Sequence, residues 1–213
     1  MPEGYTYDPV RRRYIKPNGK VVTPAEQRRI GLAIVDESAA ALEALTESYV
    51  KGSITFEEWA VAMREGVKAT HSAMSQLAFG GKEMMGARQR GLLGALIRNQ
   101  YAFLGRFALN VESGQVPKGD GMVDRAKMYG EAGWSTYTQS IAQREQHAGA
   151  QEERSFLEPD ADHCQECFDE AGKDWQPIGT LTPIGQRQCL ARCQCEFEYR
   201  TAPDAEAAEA AAE

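Results

Sequence analysis

The position of the cysteines constrains this chain more than any other feature of its sequence. All five lie between Cys164 and Cys195, and the first 163 residues contain none. An odd number of cysteines confined to one end is a poor match to a disulfide scaffold, in which cysteines are paired throughout a small secreted domain. Such clustering is typical of a small module that folds around a metal ion. The sequence therefore predicts a cysteine-free body followed by a cysteine-rich module.

The spacing of the cysteines indicates a structural zinc site. Two thiolates separated by two residues can face one ion, and four thiolates at about 2.3 Å in a tetrahedral arrangement close the coordination sphere. The predicted ligands of this Zn²⁺ are Cys164, Cys167, Cys189 and Cys193. Cys195 is the alternative fourth ligand, because residues two apart in a strand face the same side. We expect about one zinc ion per chain.

The segment between the two cysteine groups, residues 168–188, is rich in glycine and proline and is too short to bury a core of its own. Metal binding would supply the folding free energy that it lacks, on the order of 10 kcal/mol or more. Trp175 is expected to pack over the site. His163 adjoins Cys164 and is interpreted as a neighbour of the ligands or as an exposed residue.

Three other interpretations of the cysteines are weaker matches. A catalytic zinc site needs an open coordination position and a general acid or base, for which Glu166 is the candidate, but the His-x-Glu pattern of the zinc deaminases is absent. A redox Cys-x2-Cys needs a thioredoxin-like context, which is also missing. A disulfide-linked form would require oxidation after assembly. We therefore predict no catalytic residue and no enzymatic activity.

The body is predicted to be a bundle of long helices. Capping boxes at residues 23–26 and 55–58 mark two helix starts, and apolar residues then recur at helical spacing. A third helix is predicted over about 84–112, with apolar residues wide enough to be buried on more than one side, and a fourth over about 122–150. His71 lies on the apolar stripe of the second helix and is interpreted as a core or boundary histidine. Asn18-Gly19 predicts an N-terminal hairpin turn.

The predicted fold class is thus mainly α, a multi-helix bundle with a small C-terminal zinc-ribbon-like β module and a short N-terminal hairpin. The predicted units are the hairpin or arm at 1–22, the helical body at 23–155, the zinc-binding module at 156–201 and a disordered acidic tail at 202–213. A net charge of −7 argues against a surface that binds nucleic acid over its whole extent. We predict no membrane span and no signal peptide, and therefore a reducing, cytosol-like compartment.

The C-terminal pattern resembles a known family. Cys164-x2-Cys167, Gly172, Trp175, Pro183-Ile184-Gly185 and the group from Cys189 to Cys195 are similar to the terminal module of tailed-phage minor head proteins, the head morphogenesis family typified by the phage Mu minor head protein. The body is also similar, through Gly80-Gly81 and Arg125-x2-Met128-Tyr129. The family pattern ends in His-x2-Cys-x-Cys, whereas this chain has Cys-x3-Cys-x-Cys. The ligand set that the resemblance implies therefore stays open among Cys189, Cys193 and Cys195.

The resemblance implies a virion component without catalysis. Such a protein is made in the host cytoplasm and is incorporated near the portal or the inner head wall, in contact with portal, capsid or connector proteins and in several copies. The alternative is a DNA-associated zinc protein of packaging or regulation, for which the triplet Arg11 to Arg13 is the candidate contact. Acidic residues outnumber basic ones between Cys164 and Cys195, which is the reverse of a phosphate-binding ribbon.

Overall fold

A computed structural model describes residues 4–190 and 193–202. Within them, a helical body precedes a small antiparallel sheet, which confirms the predicted fold class. The helices of the body are α1 (Pro24–Val50), α2 (Phe56–Phe79), α3 (Ala87–Glu112), α4 (Asp120–Glu131) and α5 (Gly133–His147). All but the first residue of the predicted acidic tail lies outside the described residues. Among the described helices, none combines the length and the apolar character that a bilayer-spanning segment needs.

Both predicted capping boxes are present and mark the starts of α1 and α2. At the start of α1, the hydroxyl of Thr23 accepts a hydrogen bond from the backbone N–H of Glu26 (3.2 Å), and the carboxylate of Glu26 accepts one from the backbone N–H of Thr23 (2.9 Å). Thr55 and Glu58 make the same pair of bonds at the start of α2 (3.2 and 2.8 Å). Each box satisfies two backbone donors that the first turn leaves without an intrahelical partner.

The third helix is continuous but starts later than predicted. A 3-10 turn occupies Lys82–Met84, and α3 then runs unbroken from Ala87 to Glu112. The prediction that this helix is buried on more than one side is wrong. Its buried residues, Leu104, Phe107 and Val111, all lie in its second half, and Phe103 is 46% exposed. Since α2 covers one face of α3, the opposite face remains at the surface.

The predicted fourth helix is two helices, α4 and α5, which meet at Ala132. The glycines on either side of Ala132 explain the break. Gly130 lies so close to α1 that a Cβ atom there would come within 2.5 Å of the backbone nitrogen of Ala39. A Cβ atom at Gly133 would come within 2.7 Å of Thr70 on α2. These close approaches let α4 pack against α1 and α5 pack against α2.

The main core of the body is built from aromatic side chains of all four helices α1 to α4. Trp59 is fully buried at its centre; its ring stacks on Tyr49 (centroids 5.4 Å apart) and meets Phe107 edge-on (5.7 Å). The indole N–H of Trp59 donates a hydrogen bond to the hydroxyl of Thr46 (3.0 Å). The apolar residues that complete this cluster are Leu42, Met63, Val67, Leu104, Val111, Met122, Ala126 and Tyr129.

The N-terminal hairpin is formed by β1 (Thr6–Asp8) and β2 (Arg13–Ile15), upstream of the predicted turn. The predicted Asn18-Gly19 turn is also present, but it leads to a single bridge between Ile15 and Val21. The hairpin packs on the end of α2, because the hydroxyl of the buried Tyr14 donates a hydrogen bond to the carbonyl of Leu77 (3.1 Å).

The C-terminal module contains β3 (Glu152–Phe156), a short helix α6 (Gln165–Ala171), β4 (Gln176–Pro177) and β5 (Glu196–Arg200). The three strands form an antiparallel sheet in the order β4-β3-β5. The sheet begins at residue 152, four residues before the range 156–201 that the sequence assigned to the module. This topology brings the start of α6 next to the segment that enters β5, and both carry cysteines.

Candidate metal centre

Local backbone geometry places the cysteines of each group on one side of the chain. Cys164 is the N-cap of α6, and its carbonyl accepts a hydrogen bond from the N–H of Cys167 (3.0 Å), so both thiols lie at the start of that helix. In the second group, Leu190 has a positive φ of 47°, and its carbonyl accepts a bond from the N–H of Cys193 (3.2 Å). Cys195 immediately precedes β5.

Cys167 is the hub of the cluster. Its sulfur lies 3.5 Å from that of Cys164, 3.5 Å from that of Cys189 and 3.8 Å from that of Cys193. All five cysteines are free thiols. Two sulfurs bound to one tetrahedral zinc ion at about 2.3 Å lie about 3.8 Å apart. The observed separations are thus close to the edges of a zinc–thiolate tetrahedron. The sulfur atoms of Cys164, Cys167 and Cys189 all lie within 4.8 Å of one another.

A second group of donor atoms shares the same hub. The side chains of His163, Cys167 and Cys195 also bring their donor atoms within 4.8 Å of one another, and Cys195 is fully buried. His163 Nδ1 lies 3.6 Å from the sulfur of Cys195, while its Nε2 lies 2.7 Å from the carbonyl oxygen of Glu158. The structure therefore places Cys193 beside Cys167, and Cys195 beside both Cys167 and His163. It does not single out one of the two as the fourth ligand.

The thiols of the second cysteine group differ in how readily they ionise. A hydrogen bond with the thiol of Cys195 lowers the pKa of Cys193 to about 5. The same hydrogen bond and burial raise the pKa of Cys195. A thiolate, and not a thiol, is the form that binds metal. Of this pair, Cys193 is the thiol that ionises more readily.

Glu166, the candidate acid or base of a catalytic site, has a different position. Its carboxylate accepts a hydrogen bond from the backbone N–H of Gln188 (2.6 Å). This bond joins the first cysteine group to the residue immediately before Cys189. Glu166 therefore braces the loop that carries the second group.

The cluster is not isolated from the helices. Cys167, Cys193 and Cys195 belong to one buried apolar cluster together with Val35, Met74, Trp134 and Ile184. The indole N–H of Trp134 on α5 lies 3.4 Å from the carbonyl oxygen of Cys195, to which it donates a hydrogen bond. Trp175, which the sequence placed over the site, instead lies beneath the guanidinium groups of Arg154 and Arg200. The tryptophan on the cysteine cluster therefore comes from the body.

One arginine of α1 joins the module to the body. The side chain of Arg28 forms ion pairs with Glu158 (3.2 Å) and Glu196 (2.9 Å), which flank the cysteines on either side. It also donates a hydrogen bond to the carbonyl of Gln194 (2.9 Å), and its guanidinium lies 5.5 Å from the ring centre of Trp134. Arg28 thus holds both ends of the cysteine module against the helices.

The interior of the module is unusually polar. Arg187, Glu153 and Glu170 are all nearly or fully buried. Arg187 donates a hydrogen bond to the carbonyl of Thr182 (3.1 Å), and a carboxylate oxygen of Glu153 accepts one from the N–H of Gly179 (2.9 Å). The module therefore relies on hydrogen bonds and charges where the body relies on apolar side chains.

Sequence reasoning missed Arg28 and Trp134, and it did not predict the orientation of His163. The adjacency of His163 to Cys164 was visible, but nothing in the sequence indicated that its ring turns towards Cys195. Arg28 lies 166 residues before Gln194, and Trp134 lies 61 residues before Cys195. Neither carries a local signal of its contact with the cysteine module.

Comparisons with models of protein families, with curated proteins and with solved structures found no match to this chain. The functional proposal is therefore built on the geometry of the cysteine cluster and on the sequence resemblance described above.

Proposed function

We propose that this chain is a non-enzymatic structural component of a tailed-phage virion, a minor head or portal- or connector-associated protein whose C-terminal module is folded by structural Zn²⁺. The observation that carries the proposal is the cysteine cluster around Cys167, which packs directly on the helical body and in which the sulfur of Cys167 lies 3.5–3.8 Å from three others. The same cysteines provide the resemblance to the phage head proteins.

Zinc is the cation that this donor set favours. Thiolates select soft or borderline metals, and a tetrahedral all-sulfur or mixed sulfur–nitrogen site is characteristic of zinc or an iron–sulfur centre. Cys164, Cys167 and Cys189 supply three ligands, with Cys193 as the fourth in the simplest form of the site. The site stabilises the module because its sulfurs come from two segments that are separated by 21 residues of turn-rich chain.

A passive structural role fits how the centre is attached. The ion would hold the sheet, and through Arg28 and Trp134 also α1 and α5, in one rigid unit. Exposed apolar side chains on the outer faces of α2 and α3, Val61, Phe103 and Leu109, provide positions for contacts with portal, capsid or connector proteins or with further copies of the chain. Assembly proceeds in the host cytoplasm, and the protein remains in the virion.

The test is the composition of assembled particles. We expect the chain in purified heads by mass spectrometry, cross-linked to portal or capsid proteins, and zinc bound to the purified, reduced protein. Absence of the chain from particles that contain portal and capsid proteins would overturn the virion assignment.

The DNA-associated alternative makes a different prediction, namely salt-dependent binding to duplex DNA that is lost when Arg11, Arg12 and Arg13 are changed to glutamine. Two of these guanidinium groups already have partners, since Arg11 pairs with Asp8 (3.7 Å) and Arg12 with Glu145 (3.0 Å). We therefore expect no such binding at physiological salt.

A further inference from the structure

The cluster contains more metal-binding groups than one zinc ion can use. Five thiols and the imidazole of His163 meet around Cys167, whereas a structural zinc ion takes four ligands. If Cys164, Cys167, Cys189 and Cys193 bind one ion, His163 and the fully buried Cys195 are left beside it. The positions of these two side chains relative to each other bear on whether they bind a second cation.

The hydrogen bonding of His163 fixes which of its nitrogens is free. Nε2 lies 2.7 Å from the carbonyl oxygen of Glu158, which can only accept, so Nε2 carries the hydrogen. Nδ1 of the neutral ring then presents a lone pair towards the sulfur of Cys195. A backbone carbonyl on the distal nitrogen is the usual support of a metal-binding histidine, because it fixes both the tautomer and the ring orientation.

The distance between the two donors matches a shared cation. Nδ1 of His163 and the sulfur of Cys195 are 3.6 Å apart. A nitrogen at about 2.05 Å and a sulfur at about 2.3 Å from one tetrahedral zinc ion are separated by about 3.6 Å. Cys167, which belongs to the first donor group, is also a member of this second one.

We propose that the module binds two zinc ions that share Cys167 and Cys193 as bridging thiolates. The first ion has Cys164 and Cys189 as its other ligands, and the second has His163 and Cys195. The proposal extends the zinc site of the proposed function and depends on it. Six donors are enough for two tetrahedra that share one edge, and the sulfurs of Cys167 and Cys193, 3.8 Å apart, have the length of that edge. Cys193 belongs to neither of the two close donor groups, so metal binding must bring its side chain towards both.

Charge compensation supports the second ion. Five thiolates and a neutral imidazole around one divalent cation leave a net charge of about −3 in a buried site, whereas two cations leave about −1. Arg28 is occupied by the carboxylates of Glu158 and Glu196 and is therefore not available to offset this charge. Two cations therefore reduce the charge that the site must hold.

The test is the metal content of the full-length, reduced protein, measured by elemental analysis and native mass spectrometry. We expect two zinc ions per chain, and one zinc ion with a folded module in each of the variants His163→Ala and Cys195→Ser. The control is His147→Ala, which removes an exposed imidazole of the body and should leave two ions. Stepwise loading of the metal-free wild type with Co²⁺ serves as a second readout that needs no variant. The bridging thiolates should couple the two ions magnetically, so that the paramagnetic signal rises with the first equivalent and falls with the second.

The outcomes separate this inference from the proposed zinc site. No bound metal overturns both. One zinc ion in the wild type, with a single uncoupled Co²⁺, overturns the second ion and leaves the structural zinc site intact. Two ions that persist in both His163→Ala and Cys195→Ser overturn the ligand assignment and with it the proposal.

Discussion

The helical body and the C-terminal module of 152–202 are stable for different physical reasons. The body buries a continuous apolar cluster in which Trp59, Met63, Val67 and Phe107 are completely inaccessible to solvent. Among the described residues of the module, the buried side chains are cysteines, two carboxylates, Ser155 and Arg187, with two apolar residues, Leu181 and Ile184. Burying charged groups costs free energy unless each is paired.

This difference determines how each region should respond to damage. In the body, stabilisation is distributed over many contacts, so the loss of one side chain removes a part of it. The module has about 50 residues, which is below the size at which an apolar core alone usually suffices. Its stability is concentrated in the cysteine centre, so loss of the centre should unfold it as a whole.

The largest expected effect follows from removing the centre. Cys167→Ser removes the sulfur that contacts three others, and we expect the module to unfold while the body stays helical, a loss on the order of 10 kcal/mol of metal-dependent folding free energy. Hydrogen exchange read by mass spectrometry checks this, with fast exchange in 152–200 and protection retained in α1 to α4. A strong chelator added to the wild type should give the same pattern. Protection of β3 and β5 that survives chelation would show that the module is stable without metal.

The second effect is confined to the body. Trp59→Ala empties the centre of the aromatic cluster and leaves the hydroxyl of Thr46 without its indole donor, so we expect a loss of about 3–5 kcal/mol in the free energy of unfolding. Chemical denaturation followed by circular dichroism measures it. Val61→Ala, on the exposed side of α2, is the matched control and should change stability by less than about 0.5 kcal/mol. Loss of zinc from Trp59→Ala under native conditions would show instead that the metal centre depends on the aromatic core of the body.

The body was largely predictable because its signals are local. Capping boxes are sequential patterns, and Thr23 and Thr55 begin helices as predicted. The break between α4 and α5 was missed because its cause is the contact of Gly130 with α1, which is a tertiary feature. The upstream strand β1 was missed because no strong turn signal lies between it and β2. It is held by its pairing with β2, and β2 is held on α2 by the hydrogen bond from Tyr14 to the carbonyl of Leu77.

The cysteine centre was predictable in composition but not in arrangement. Spacing alone indicated which cysteines could meet, and it left Cys193 and Cys195 as alternatives. The orientation of His163 depends on the carbonyl of Glu158, and the contact of the site with Trp134 depends on how the sheet docks on α5. Neither is encoded in a local pattern, because both arise when distant segments pack.

Acid provides a third way to compare the two regions. Burial lowers the pKa of His71 from 6.5 to about 4. The ring lies between α2 and α5, with Nδ1 at 2.6 Å from the hydroxyl oxygen of Thr136. Between these values the unfolded chain binds the proton and the folded chain does not. The free energy of unfolding should therefore fall by about 3 kcal/mol as the pH decreases from 6.5 to 4. Above pH 6.5, His71 should contribute nothing to the pH dependence of the unfolding free energy.

The variant His71→Gln should reduce this acid sensitivity in α2 and α5, as measured by site-resolved hydrogen exchange across the pH range. Acid also displaces zinc from thiolates, so exchange in the module should increase in both proteins. His147→Gln removes an exposed imidazole and should keep the pH dependence of the wild type. An unchanged pH dependence of the body in His71→Gln would assign the acid sensitivity to other groups.

The smallest effect concerns the connection between the regions. Arg28→Met keeps an apolar side chain of similar length but removes the guanidinium that pairs with Glu158 and Glu196 and bonds to the carbonyl of Gln194. We expect a loss of roughly 2 kcal/mol, because two partly buried carboxylates and a carbonyl lose a charged donor. The zinc content should stay unchanged. Arg29→Met, at the adjacent exposed position of α1, is the matched control and should be nearly neutral.

Since Arg28 joins the regions and belongs to the core of neither, its loss should separate one thermal transition into two. A single cooperative transition in Arg28→Met would show that the apolar contact of Trp134 with the cysteine cluster is sufficient to couple them.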